Sequence, residues 1–74
     1  MIEIFTKAER DPRIDPRRGD VISRDGFRIE VDNIEHNEVY FCRVKEDGQW
    51  QGGRMDLSTW REQAENSIVE RRAD

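Results

Sequence analysis

Two Asp-Gly dipeptides, Asp25-Gly26 and Asp47-Gly48, each stand between runs of β-type residues, and nothing else in the chain constrains its fold as strongly. Glycine accepts the positive φ that a tight hairpin turn demands, and an aspartate before it enters the left-handed region more readily than bulky residues do. The flanking runs alternate as strands should. Phe27-Arg28-Ile29-Glu30-Val31-Asp32 sets apolar side chains on one face and charged ones on the other, the pattern of an antiparallel strand with one covered face. Gly19 to Ser23 is a short strand before it, and Ile34 ends it. Glu35-His36-Asn37-Glu38 is a polar turn in which Asn37 suits positive φ. Val39 to Lys45 is a third strand, with Tyr40, Cys42 and Val44 on one face and Val39 and Phe41 on the other. Trp50 to Leu57 is a fourth, loosened by Gly52-Gly53 into a bulge or bend.

The remaining segments frame this meander. Met1 to Phe5 alternates like a short strand. Thr6 to Gly19 is nearly free of apolar residues and carries a near repeat, Asp11-Pro12-Arg13-Ile14 then Asp15-Pro16-Arg17-Arg18. Each proline fixes its own φ and pushes the preceding residue out of the helical region, so this stretch reads as a stiff, turning arm. Thr59 with Glu62 has capping-box spacing, and Trp60, Ala64 and Ile68 share a helical face. A short helix from Ser58 to Glu65 followed by a strand from Ser67 to Arg71 is the preferred reading; one helix running to Arg72 is the alternative. The expectation is a single domain over 1–74: arm 6–19, meander 20–57, helix 58–66, tail 67–74. The class is α+β, mainly β: a small SH3-like barrel or strongly bent antiparallel sheet of four to six strands, with one short helix near the C-terminus and Trp60 plugging an open end. The expected core is Ile4, Val21, Phe27, Ile29, Val31, Tyr40, Cys42, Val44, Leu57 and Trp60.

Composition narrows the function classes. With 74 residues, 34% of them hydrophobic, the chain can build one small core. No apolar run is long enough for a membrane helix, the N-terminus lacks the order of a secretory leader, and a single cysteine forms no internal disulfide. A cytoplasmic setting is the expectation. The net charge of −4 argues against a dedicated nucleic-acid binder, which needs cations to replace condensed counterions. The charge is uneven: Lys7 to Arg28 is slightly basic, and residues 29–74 are acidic. All cations except Lys7 and Lys45 are arginines, whose forks suit interfaces.

Chemistry that would carry catalysis is sparse. His36 lies in a polar turn and Cys42 within a strand, so neither has the other as a base or a co-ligand. Asp11 and Asp15 sit on an arm that offers no cleft for acid–base work. Gly52-Gly53 lacks the Lys-Ser/Thr of a phosphate loop, and Arg18-Gly19-Asp20 reads as a turn into a strand. No cofactor, metal or catalytic residue is expected. What remains is surface: Trp50 beside a hairpin tip, folded back or held out as an anchor; Arg13, Arg17 and Arg18 on the arm; and the Val39 and Phe41 face, which would serve a second copy of the chain.

Several segments together give the chain its look: Asp15-Pro16-Arg17-Arg18-Gly19-Asp20-Val21-Ile22, the alternating Phe27 to Val31, Val39-Tyr40-Phe41, and Leu57-Ser58-Thr59-Trp60-Arg61. In these the chain resembles the short proteins encoded by bacteriophages and prophages, a class that includes anti-CRISPR proteins and other inhibitors of host defence. The resemblance implies a mobile-element origin and a bacterial cytoplasm, and it carries over no residue role. The leading expectation is therefore a non-enzymatic module that binds a host protein or complex. Glu30, Asp32, Glu35, Glu38, Glu46 and Asp47 would meet a basic groove there, helped by Trp50. The second is an SH3-like nucleic-acid-binding or transcription-regulatory module using Arg13, Arg17, Arg18, Arg24 and Arg28.

Overall fold

A computed structural model describes residues 10–73; the expected strand at Met1 to Phe5, with Ile4, lies outside the described residues. Five antiparallel strands form one sheet: β1 (Val21–Arg24), β2 (Phe27–Glu35), β3 (Glu38–Lys45), β4 (Trp50–Asp56) and β5 (Ile68–Arg71). A single helix among the described residues, α1 (Leu57–Ala64), joins β4 to β5. The order across the sheet is β4-β3-β2-β1-β5, so β4 and β5 are its edges among the described residues; the sheet does not close into a barrel. The helix is not terminal, because β5 follows it. That helix is also not long and apolar enough to cross a membrane.

Three turns build the meander. Asp25 and Gly26 both take positive φ, as do His36 and Asn37, and each pair closes a two-residue hairpin whose twist matches that of the flanking strands. The other Asp-Gly works differently. The N–H of Lys45 donates to the carbonyl of Gln49 across a three-residue loop in which only Gly48 is left-handed, the arrangement that ends in a glycine bulge. Asp56 caps α1 in place of the expected Thr59, and its carboxylate accepts from the hydroxyls of Ser58 at 2.7 Å and Thr59 at 2.5 Å.

One extra residue decides which side of β3 faces the core. If the His36-Asn37 hairpin ran without interruption, Val31 would oppose Cys42 and Ile29 would oppose Val44, which is the expected core. Instead Asp32 bulges, and the register steps from Asn33↔Tyr40 to Val31↔Phe41. Since strand side chains alternate with a period of two, a one-residue step exchanges the faces. Val39 and Phe41 therefore turn inward, while Tyr40, Cys42 and Val44 line the other face. The core is Ile22, Val31, Val39, Trp60 and Ala64, with Ile29, Ile34, Phe41, Met55, Leu57 and Val69 packed around it. Phe27, expected inside, is half-buried, with the guanidinium of Arg43 stacked 5.1 Å from its ring centre.

α1 lies over β3 and β4 and inserts Trp60, which meets Phe41 edge to face at 6.4 Å between ring centres. Phe41 in turn stands over Gly53. A Cβ at Gly53 would come within 3.0 Å of that ring, whereas one at Gly52 would meet nothing closer than 3.9 Å. Gly53→Ala should thus cost about 1–3 kcal/mol through overpacking, and Gly52→Ala should stay within about 0.5 kcal/mol. Urea denaturation followed by tryptophan fluorescence checks this, and equal costs would mean that Phe41 is not seated on Gly53.

Candidate functional site

Helix and arm together cover one face of the sheet. The arm closes a helical turn at residues 11–15, with the amides of Ile14 and Asp15 both bonded to the carbonyl of Asp11, and it buries Pro12 and Pro16. The indole N–H of Trp60 donates to the carbonyl of Pro12 at 3.0 Å, and Arg61 Nε donates to that of Ile14 at 2.8 Å. Arg13 is consumed locally. It forks onto Asp11 and reaches the carbonyl of Ser67, which ties the arm to the turn before β5. The Arg13 pair holds the Asp11 carboxyl below its ordinary range, so Asp11 stays a carboxylate and is no proton donor at neutral pH. Arg17 and Arg18 stay exposed.

Behind the arm lies Asp20, 0% exposed, which sequence reasoning treated only as part of a turn. Both of its oxygens bind the Arg10 guanidinium, at 2.5 and 2.9 Å, and the amides of Arg17 and Ala73 donate to it at 2.7 Å each. Burial alone would raise its pKa; the Arg10 fork and the two amides outweigh this and hold it below the ordinary value of 3.8. The group is structural, because every bond it makes is internal. A depressed carboxylate contributes stability that is complete above its unfolded pKa and drains away as pH falls through the folded value. Asp20→Asn, which takes the counter-charge away from the buried Arg10 guanidinium, should cost about 3–5 kcal/mol at neutral pH. The gap from wild type should narrow as pH falls through the depressed folded value, where Asp20 itself takes a proton. Thermal melts at neutral and at acid pH read it, and an unchanged gap would rule out an ionised pair.

The opposite face carries no helix among the described residues, although Val21 on it is buried. The cross-strand register lays residues side by side in rows, since directly opposed residues share a face. One row runs Ile68–Ser23–Arg28–Val44–Trp50 across all five strands. The next along β3 are Glu30–Cys42–Gly52, then Asn33–Tyr40–Arg54, then Glu35–Glu38–Asp56. Down the centre passes the half-buried stripe Tyr40, Cys42 and Val44. At its rims stand the two most exposed large apolar side chains of the described residues, Trp50 at 72% and Ile68 at 66%. Glu30, Glu35, Glu38, Asp56 and Glu70 outnumber Arg28, Arg54 and Arg71 on this face, so its potential is negative. Some of that charge is paired locally: Arg28 lies 3.6 Å from Glu30, Arg54 lies 3.9 Å from Glu38, and Ser23 donates to Glu70.

The residues singled out in the sequence thus fall into three places. Glu30, Glu35, Glu38 and Trp50 come together on the uncovered face, although the Glu38 row lies six residues along β3 from the Trp50 row, about 20 Å away. Asp32 is exposed at the bulge that adjoins them. Glu46 and Asp47 sit at the β3–β4 turn, where Asp47 accepts the amide of Gln49, and a groove of about 610 Å³ there is lined by Phe27, Val44 and Ile68 among others. Arg13, Arg17 and Arg18 belong to the arm, apart from this set, with Arg13 already engaged. Val39 and Phe41, offered as a face for a second copy, are inside. Sequence reasoning missed Tyr40, Cys42 and Val44 as surface: a two-residue Asp47-Gly48 turn would pair Lys45 with Trp50, and only the three-residue loop of the structure sets Val44 opposite the exposed Trp50. Among the described residues no group of three or more His, Cys, Asp or Glu could hold a metal ion. Comparison with protein families, curated proteins and solved structures returned no match.

Proposed function

We propose that this protein is a non-enzymatic binding module that acts by occupying a basic surface of a partner protein with the uncovered face of its sheet. The observation that carries the reading is that face itself: an apolar stripe of Tyr40, Cys42 and Val44, an exposed tryptophan at its rim, and an excess of carboxylates around it. A tryptophan with an apolar surround and a polar rim is the usual anatomy of a protein-binding hot spot. Steric and electrostatic blocking needs no reactive group, which suits a chain whose His36 and Cys42 stand in separate settings. The resemblance to short phage-encoded proteins supplies the setting, a bacterial cytoplasm, and the target class, a host defence or nucleic-acid-handling complex whose basic groove normally holds nucleic acid.

The nucleic-acid reading asks for arginines free to meet phosphates. Of those it names, Arg13 is engaged with Asp11 and Ser67, Arg24 bonds the carbonyl of Gln63, and Arg28 lies beside Glu30. Only Arg17 and Arg18 remain exposed without such a contact, and two cations give a weak salt-dependent grip.

A pull-down from nuclease-treated bacterial lysate, set beside a gel shift with mixed DNA and RNA, tests the proposal. A stoichiometric protein partner should be captured, and Trp50→Ala should weaken it more than about thirtyfold, the loss of a hot-spot side chain. Raising salt should weaken it further. Arg17→Glu with Arg18→Glu should leave capture intact. A gel shift abolished by that double substitution, with no protein captured, would reject the reading in favour of a nucleic-acid module.

A further inference from the structure

We infer that the outer edge of β4 is a self-pairing surface on which a second copy of the chain lays its own β4 antiparallel, about a two-fold axis at Gly52. The two edges of the sheet are built differently. β5 has four residues and a register shift against β1, both of them devices that discourage strand addition. β4 has seven residues in unbroken register with β3, carries no proline or lysine, and is exposed along nearly its whole length. An edge so long and unguarded pairs with another strand unless something prevents it.

The hydrogen-bonding groups on that edge can be identified. Lys45 N–H binds the carbonyl of Gln49 and Leu57 N–H binds the carbonyl of Asn37, so residues 49 and 57 turn their backbone groups toward β3. Antiparallel bonding alternates, hence Gln51, Gly53 and Met55 do the same, and Trp50, Gly52, Arg54 and Asp56 point theirs outward. The side chains of these last four also share the uncovered face. A two-fold axis normal to the sheet keeps that face continuous only if residues of like parity oppose one another. Centring on Gly52 sets Trp50 against the second copy's Arg54, and Arg54 against its Trp50. Two guanidinium–indole contacts then form across the seam, between side chains that are exposed in the single chain. Moving the centre to Arg54 would oppose the two arginines. Gly52 itself meets its copy with no side chain on either strand. The two-fold sends the helices toward opposite ends of the joined strands, and the result is a ten-stranded sheet whose open faces lie on one side.

Edge pairing alone buries less than the roughly 1,200 Å² of a standard interface, so the dimer dissociates on dilution and must be measured across concentrations. Sedimentation velocity of the full chain should show a monomer–dimer equilibrium. Arg54→Glu should raise the dissociation constant about tenfold or more, since it removes both cross-seam contacts. Gly52→Pro should give a monomer with an unchanged circular dichroism spectrum, because the amide it deletes faces out and proline is tolerated at such a position. In a Cys42→Ser background, Gly52→Cys should form a disulfide-linked dimer on mild oxidation, as opposed hydrogen-bonded residues lie about 5.5 Å apart at Cα; Ile68→Cys on the other edge should not. A chain monomeric at every concentration would overturn the inference, as would a dimer that survives Gly52→Pro. A monomer whose Trp50, Gly52 and Arg54 amides resist exchange would also overturn it, by showing that the edge is already paired within the single chain.

Discussion

A carboxylate with no access to solvent has to be matched on every side, and Asp20 is matched by three separate stretches of chain. Arg10 supplies the counter-charge, Arg17 an amide from the far end of the arm, and Ala73 an amide from the tail after β5. A buried pair of this kind gains little over an apolar replacement, but losing either half is expensive. Its value here is positional. With Asp20 fixed at the mouth of β1, the arm is drawn back over the helix, and the carbonyl of Pro12 arrives where the indole of Trp60 needs an acceptor. An unmatched indole N–H in the interior would cost about 1–3 kcal/mol, which is enough to leave the helix poorly seated in a domain this small.

Trp60 then carries the argument across the sheet. Its ring meets Phe41, and Phe41 occupies the space left by the missing side chain of Gly53. Helix, β3 and edge strand are locked by one chain of contacts, all on the side that the bulge at Asp32 has turned inward. Had the strands paired without that extra residue, Tyr40, Cys42 and, through the β3–β4 register, Trp50 would share the face of Ile29 and Val31, and Phe41 would turn to the other side. One unpaired residue therefore sets both the core and the surface offered to a partner.

This explains what the residues disclosed in advance and what they withheld. The hairpins, the order of the elements, the short helix and the strand after it follow from local chemistry: Asp-Gly turns, alternation, and a polar residue ahead of a helical face. The closed barrel did not follow, because closure depends on whether β4 and β5 meet, and no local signal in either strand reports a partner so distant in sequence. The face of β3 was misread for a similar reason. Val39 to Val44 is apolar on both sides, so only the register can assign it, and Asp32 bulges without a glycine or proline to mark it. Asp20 was invisible as a buried group, since an aspartate beside a glycine reads as a turn. The acidic candidates Glu30 and Glu35 differ in parity, so plain alternation sets them on opposite faces, and only the bulge at Asp32 brings Glu30 onto the surface of Glu35 and Glu38; the arginines of the arm were not legible as structural, because Asp20 and the carbonyl of Ser67, which hold Arg10 and Arg13, are distant in sequence.

The division of labour that results has a physical logic. Several arginines are held by the chain's own acceptors: Arg10 by Asp20, Arg13 by Asp11 and the carbonyl of Ser67, Arg61 by the carbonyl of Ile14, Arg71 by that of Gly19. The uncovered face carries more carboxylates than guanidinium groups, although the chain as a whole carries only −4. A small net charge is thus distributed as a one-sided field. Such a field would steer a positively charged partner toward the face that holds Trp50. The arm that first looks like a basic, nucleic-acid-seeking segment commits Arg10 and Arg13 to acceptors within the chain and leaves Arg17 and Arg18 alone of its described arginines to meet an approaching surface.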